Sequence, residues 1–336
     1  MAYTTIDDPE AYFQVKAYTG DGNDPHALTL DGETDMQPNL LWLKSRDSTG
    51  AHFVVDSVRG ASVWLRTNVE NPEQDDDAVI VSLNSDGFSV GDDLDSNANT
   101  EKFVGWCWKE SATAGFDIIS YSGTGSAKTE SHSLSAVPHW MLVKQRTDPG
   151  GGSNSWEVYH QKNTSAPETE FMYLNEDQAT TDSNLRWNDT APTSSVITVG
   201  TGNSTNQSGT TYIGYLWSEK QGFSKFGSYT GNGNADGPFV YTGFRPAWIM
   251  VRDTGNAAAW MIMDNKRSGY NPTNNRLYAH ASSAEESAVD RFDFLSNGFK
   301  IRTGDADTNC DGCNFIYMAF AEQPLVNSEG VPCNAR

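Results

Sequence analysis

The sequence predicts an all-β protein made of three tandem, homologous β-sandwich-like repeats of about 105 residues, packed closely together. Two observations carry this: four sequence blocks recur three times in one order, and each block is a short apolar run bounded by turn residues. Composition agrees. The 336 residues include 30 glycines and 11% aromatics, which suits short strands with Tyr, Trp and Phe filling the cores.

The first block is Tyr18-Thr-Gly-Asp-Gly22, repeated as Tyr121-Ser-Gly-Thr-Gly125 and Tyr229-Thr-Gly-Asn-Gly233. The second is a proline-led apolar run ending in a base: Pro38 to Lys44, Pro138 to Lys144 and Pro246 to Arg252. Apolar residues at consecutive positions predict a strand covered on both faces. The third block is Phe53-Val-Val-Asp56, Trp156-Glu-Val-Tyr159 and Trp260-Met-Ile-Met263. Each repeat closes with Phe103 to Glu110, Tyr212 to Glu219 or Phe315 to Glu322. Phe292-Asp-Phe-Leu-Ser-Asn-Gly-Phe299 reads as a strand and an Asn-Gly turn into a second strand. Counting such runs gives about seven or eight strands per repeat, enough for two sheets. Short Gly- and Ser-bearing turns then divide the chain into repeats at 1–112, 113–220 and 221–325, with a surface tail at 326–336. Links this short predict closely packed repeats with pseudo-threefold symmetry.

A formal charge of −21, from 44 acidic and 23 basic residues, would repel a polyanion. Nucleic acid and anionic membrane are therefore not expected partners, and no apolar run reaches transmembrane length. The opening Met1-Ala-Tyr-Thr-Thr-Ile-Asp-Asp lacks a basic or hydrophobic stretch, so the expectation is synthesis and assembly in a cytoplasm without a signal peptide.

Several patterns invite chemistry. Gly87-Phe-Ser-Val-Gly91 fits a nucleophile elbow, but Thr198 and Lys300 replace Ser89 in the other repeats, which predicts a solvent-facing strand position. Glu110, Glu219 and Glu322 recur with Lys44, Lys144 and Arg252, predicting structural base–carboxylate pairs at neighbouring strand ends. Six histidines show no metal-ligand spacing and read as surface or turn residues. Carboxylates are too numerous for sequence to single out a catalytic pair, so no catalytic residue is assigned and the chain is expected not to be an enzyme. Asp305, Asp307, Asn309 and Asp311 alternate as calcium ligands do, with a parallel series at Asp93, Asp95, Asn97 and Asn99. Calcium is the one cofactor expectation, beside the alternative of an Asx-rich turn. Cys310 and Cys313 form C-x-x-C in that turn, suiting a local disulfide or plain thiols; zinc would need two more ligands, and only Cys333 is near in sequence.

Asp56-Ser-Val-Arg-Gly60, Gly105-Trp-Cys-Trp-Lys109, Phe226-Gly-Ser-Tyr-Thr-Gly-Asn-Gly233, Gly237 to Trp248 and Phe294-Leu-Ser-Asn-Gly-Phe299 resemble a repeat of virion proteins from marine tailed phages, cyanophages included. The resemblance runs from about Ala11 to Pro324 and brings no catalytic residues with it. It implies a phage particle component: a tail fibre, adhesin or capsid decoration, assembled with other virion proteins and trimeric by family analogy. Host surface glycan is the alternative partner, through a lectin-like binding role.

Overall fold

The structure is a computed structural model that describes residues 2–148 and 154–333. The protein is nearly all β, with six antiparallel sheets among the described residues. The first large sheet runs in the order Phe13–Thr19, Lys102–Trp108, Leu40–Ser45, His52–Asp56, Gly60–Arg66, Gln74–Asp75. The second runs Phe116–Ser122, Thr211–Trp217, Trp140–Gln145, Glu157–His160, Glu170–Tyr173, Thr181–Asp182. The third runs Ser224–Thr230, Asn314–Pro324, Phe244–Asp253, Met261–Asp264, Leu277–Tyr278. In each, the closing block lies between the opening strand and the proline-led strand. A small sheet covers one face of each: His26–Leu28 with Gly87–Val90 and Ile80–Asn84, then Lys128–Ser131 with Val196–Val199, then Phe239–Tyr241 with Gly298–Ile301 and Phe292–Leu295.

The other face of every large sheet turns inward to a core shared by all three segments. Side chains alternate along a strand, so one strand serves two cores. Leu40, Trp42, Trp106 and Trp108 join the shared core, while Leu41, Leu43, Phe103 and Cys107 face the first segment's own small sheet. Trp140, Leu142, Tyr215 and Trp217 repeat the arrangement against Met141, Val143, Tyr212 and Leu216. At the centre Trp108 lies edge-on to Trp217 at 6.2 Å, to Trp248 at 5.8 Å and to Phe320 at 5.6 Å. These edge-to-face contacts suit the ring quadrupoles.

Strand register aligns Asp56, His160 and Asp264, and these positions hold the seams between segments. Asp56 and Arg59 form a fully buried pair at 2.6 Å, and the Tyr215 hydroxyl of the second segment donates to Asp56 Oδ2 at 2.7 Å. Asp264 and Arg267 form the same pair at 2.5 Å, and Trp106 Nε1 of the first segment donates to Asp264 Oδ2 at 3.0 Å. In the remaining seam His160 Nε2 donates to the Tyr317 carbonyl at 3.1 Å, while its Nδ1 accepts from the Lys162 amide. Burial holds His160 neutral, with its pKa pushed down to about 3. The backbone repeats the cycle: the Glu73 amide donates to the Arg146 carbonyl at 2.9 Å, Thr180 to Thr254 at 3.0 Å, and Glu285 to Arg46 at 2.7 Å. Contacts thus run from segment one to two, two to three, and three to one.

Three sequence expectations need correction. His52 and His160 are fully buried, not surface or turn residues, because register puts His52 where Trp156 and Trp260 stand and His160 where Asp56 and Asp264 stand. Ser89 is buried too, its hydroxyl accepting from Asn84 Nδ2 at 3.0 Å. The hairpin loop is Ser296-Asn297, since Gly298 already pairs with Leu295 as the first residue of its strand. The tail also folds back on the chain. The amide and hydroxyl of Ser328 both donate to Asp7, and residues 334–336 lie outside the described ones.

Replacing Arg267 with Ala leaves Asp264 buried without its cation. Unfolding by urea is expected to show a loss of about 3–5 kcal/mol, whereas an exposed control such as Lys102→Ala should change little.

Candidate functional site between the segments

The recurrent charged residues do not form the expected pairs. Antiparallel pairing sets Lys44 opposite Val104 and Leu40 opposite Trp108, so the base and Glu110 lie at opposite ends of the sheet. The buried bases instead bond backbone carbonyls. Lys44 reaches Ser45 O at 2.6 Å, Lys144 reaches Glu70 O and Asn154 O at 2.7 Å, and Arg252 reaches Glu176 O at 2.8 Å. Burial pushes both lysines down to about 8. Two glutamates serve the next segment's opening strand, Glu110 accepting from the Ile118 amide at 3.2 Å and Glu219 binding Lys225 at 2.7 Å, while Glu322 pairs with Arg245 of its own segment's proline-led strand.

The alternating Asp and Asn residues form a clamp, not an oxygen cage. Asp305 caps the single helical turn Ala306–Asn309, accepting from the Asp307 amide at 2.9 Å and from Arg291 at 3.0 Å. Asn309 is fully buried; its Oδ1 accepts from the Asn232 amide, and its Nδ2 donates to Thr303 O and Asn234 O at 2.7 Å. Asp307 is partly buried, its pKa raised by burial and by Asp305, and Asp311 is exposed beyond the turn. The four therefore do not converge on one point. Asn97 and Asn206 repeat the clamp, taking the Asp21 and Thr124 amides at 3.0 and 2.8 Å.

This geometry explains the Tyr-x-Gly-x-Gly block. Tyr18, Tyr121 and Tyr229 each donate to a carbonyl of the helical turn, at 2.6, 2.7 and 2.8 Å. The first glycine passes so close to the turn that a Cβ on Gly123 would sit 2.1 Å from the Gln207 carbonyl oxygen. The second adopts positive φ, 70° at Gly22, 75° at Gly125 and 65° at Gly233. The block is a docking device for the asparagine turn.

A polar pocket of about 300 Å³ opens at the seam of the first two segments. Ser155, the residue before the third block, brings Glu70 Oε1 to 3.0 Å and Glu176 Oε1 to 2.8 Å of its one hydroxyl. The hydroxyl of Ser155 thus joins carboxylates of two segments beside the pocket. Beside them Glu157 is fully buried and lies 2.8 Å from Arg186 Nε. Burial pushes its pKa up to about 7, against the opposing pull of Arg186. Arg186 in turn donates to the Tyr173 hydroxyl at 3.0 Å and stacks over Phe171. Register shifts the third block by one residue from the sequence alignment, setting Glu157 with Phe53 and Met261, so this acid belongs to the second segment alone. Sequence reasoning missed it because the groups come from separate loops, strands and a helical turn of two different segments. The available signal was an acid inside an otherwise apolar block.

Cys310 and Cys313 form a disulfide in the turn after Asn309, whereas Cys107 is a buried free thiol and Cys333 a half-buried one.

Two outcomes follow from these contacts. Millimolar calcium should leave the melting temperature unchanged, while Asn309→Ala should lower stability by about 2–4 kcal/mol through orphaned amide and carbonyl groups, both read by thermal or urea unfolding. Glu157 binds its proton more tightly folded than unfolded, so it contributes to stability at low pH and loses that contribution as pH rises from 4.5 to about 7. Glu157→Gln should therefore gain on the wild type across that window and run parallel to it above, measured as melting temperature against pH.

Among the described residues no helix is long and apolar enough to cross a membrane. Comparison with curated proteins finds no match. The family described as Domain of unknown function (DUF7483) matches residues 8–324, and the chain belongs to that family.

Proposed function

We propose that the chain is a non-enzymatic surface protein of a tailed-phage particle, a tail fibre, adhesin or capsid decoration, serving attachment or particle structure with other virion proteins. The observation that carries this reading is the use made of the recurrent polar residues. The three tyrosines, the three clamp asparagines and the three buried bases all bond the chain's own backbone. A motif spent on holding itself together, in a chain of net charge −21, suits a durable, soluble building block. The resemblance of Gly105-Trp-Cys-Trp-Lys109 and Phe226 to Gly233 to marine-phage virion repeats points the same way. An antibody raised to the chain should decorate intact particles in electron micrographs, and its absence from purified particles overturns the reading.

The alternative is a lectin-like module for host surface glycans. The pocket at Glu70, Ser155 and Glu176 favours it, since clustered hydroxyl-bonding side chains at the small end of ligand-pocket volumes suit a sugar unit. The aromatic content argues less for it, because all ten tryptophans are buried. Binding on a glycan array that is lost in Ser155→Ala would select this alternative.

A further inference from the structure

The third segment departs from the other two at three positions that meet in space. Cys310 and Cys313 occupy the places of Ala98 and Glu101 in the first segment and Gln207 and Thr210 in the second. Asp253, one residue after the buried base, occupies the place of Ser45 and Gln145. One thiol-bearing position and one carboxylate could meet by accident of packing. Here two sulfurs and a carboxylate oxygen all lie within 4.8 Å of one another, among residues that none of the other segments supplies.

We propose that Asp253, Cys310 and Cys313 form a redox-gated site for a thiophilic divalent cation of the zinc class, closed as the disulfide and open as the dithiol. The carboxylate is already aimed. Asp253 is buried, and its Oδ1 is fixed by the Gly255 amide at 2.8 Å and the Asn256 amide at 3.2 Å, while Asn256 Nδ2 holds Oδ2 at 2.9 Å. Such hydrogen bonds orient a metal-ligating carboxylate. Oδ2 stands 3.3 Å from Cys310 Sγ. Oxygen and sulfur bound to one tetrahedral zinc, at about 2.0 and 2.3 Å, lie about 3.5 Å apart, so this edge of the tetrahedron is in place. Both cysteines are half-exposed, open to reductant and metal. Sequence left the C-x-x-C short of ligands; the third ligand comes from a neighbouring strand, and solvent completes the fourth position.

The chemistry balances with a dithiol reductant. It gives two electrons to the Cys310–Cys313 bond, closes its own disulfide, and passes two protons to the released sulfurs. A divalent cation then displaces both protons and is held by two thiolates and one carboxylate, so affinity rises with pH. Oxidation by a disulfide reverses the sequence and ejects the ion.

The test uses the full chain with Co²⁺ and Zn²⁺ as probes, because a sulfur-to-cobalt charge-transfer band reports thiolate ligation and ignores the acidic surface. Reduced protein should take up one equivalent of Co²⁺ with that band, bleached by Zn²⁺, and oxidised protein should show none. Reduced C310S/C313S should show no band, and Asp253→Asn should weaken binding by about tenfold or more. No band in the reduced wild type, an equal band in the oxidised protein, or an unaltered band in either variant overturns the site. The comparison of oxidised with reduced wild type needs no substitution, so a misfolded variant does not blunt it.

Discussion

Each large sheet must bury two faces, and each segment has only one small sheet with which to cover them. The uncovered face of one segment is a stripe of Leu40, Trp42, Trp106 and Trp108; of another, Trp140, Leu142, Tyr215 and Trp217. Exposed to water, either stripe would form an apolar patch well beyond what a soluble monomer tolerates. Burying the stripes against one another removes three patches at once and produces the shared aromatic centre. This constraint fixes the arrangement: three sheets around one core leave three seams, and what happens at the seams follows from the closing strands that border them.

A seam between large aromatic stripes cannot be wholly apolar, because Tyr215 and Trp106 carry polar groups into it. Both donate to a buried aspartate of the preceding segment in the cycle, Asp56 and Asp264. A buried aspartate needs a cation, which Arg59 and Arg267 supply from the same turn. Glu73 and Glu285 then bridge each cluster to a second arginine, Arg146 or Arg46, of the neighbouring segment. Met318 stands at the third equivalent position and has no donor to offer. There the aspartate becomes His160 and bonds a backbone carbonyl, while the arginine becomes Asn163 and the glutamate Thr180, joined to each other at 2.6 Å. The neutral seam is the consistent answer to a missing donor. Buried ion pairs add little net stability but cost several kcal/mol when half-broken, so the two ionic seams penalise wrong neighbours more than they reward right ones.

The all-β class was legible because strand runs, turn residues and block order all lie along the chain. The clamp was half legible: alternating Asp and Asn side chains marked a turn, but Asn309 reaches Asn232 and Asn234, far away in sequence, and only that reach separates a clamp from a calcium loop. The base–glutamate pairing failed for a geometric reason, since an antiparallel strand carries its two ends to opposite edges of the sheet. The burial of His52 and His160 was not legible from their polar identity; it follows from register, which gives them the positions that Trp156 and Trp260, and Asp56 and Asp264, hold in the other segments. The pocket of Glu70, Ser155 and Glu176 was out of reach, because its carboxylates meet across a seam.

Three segments of like strand order separate two kinds of buried polar residue. Those present in every segment, such as the clamp asparagines and the buried bases, are required wherever this fold is built. Those present in one segment are not required by the fold, since the other segments do without them, and an ionisable side chain in a buried position carries a desolvation cost. Glu157 stands where Phe53 and Met261 pack as apolar residues, and the second segment offsets its cost with Arg186, itself held by Tyr173 and Phe171. Asp253 stands where Ser45 suffices, and three donors from its own loop surround it. A costly group with a dedicated supporting shell, absent from its equivalents, is the signature of a residue kept for something other than packing. In this protein that signature falls on the Glu157 pocket and the Asp253 cysteine turn, and both adjoin a buried base that ties one segment to the next.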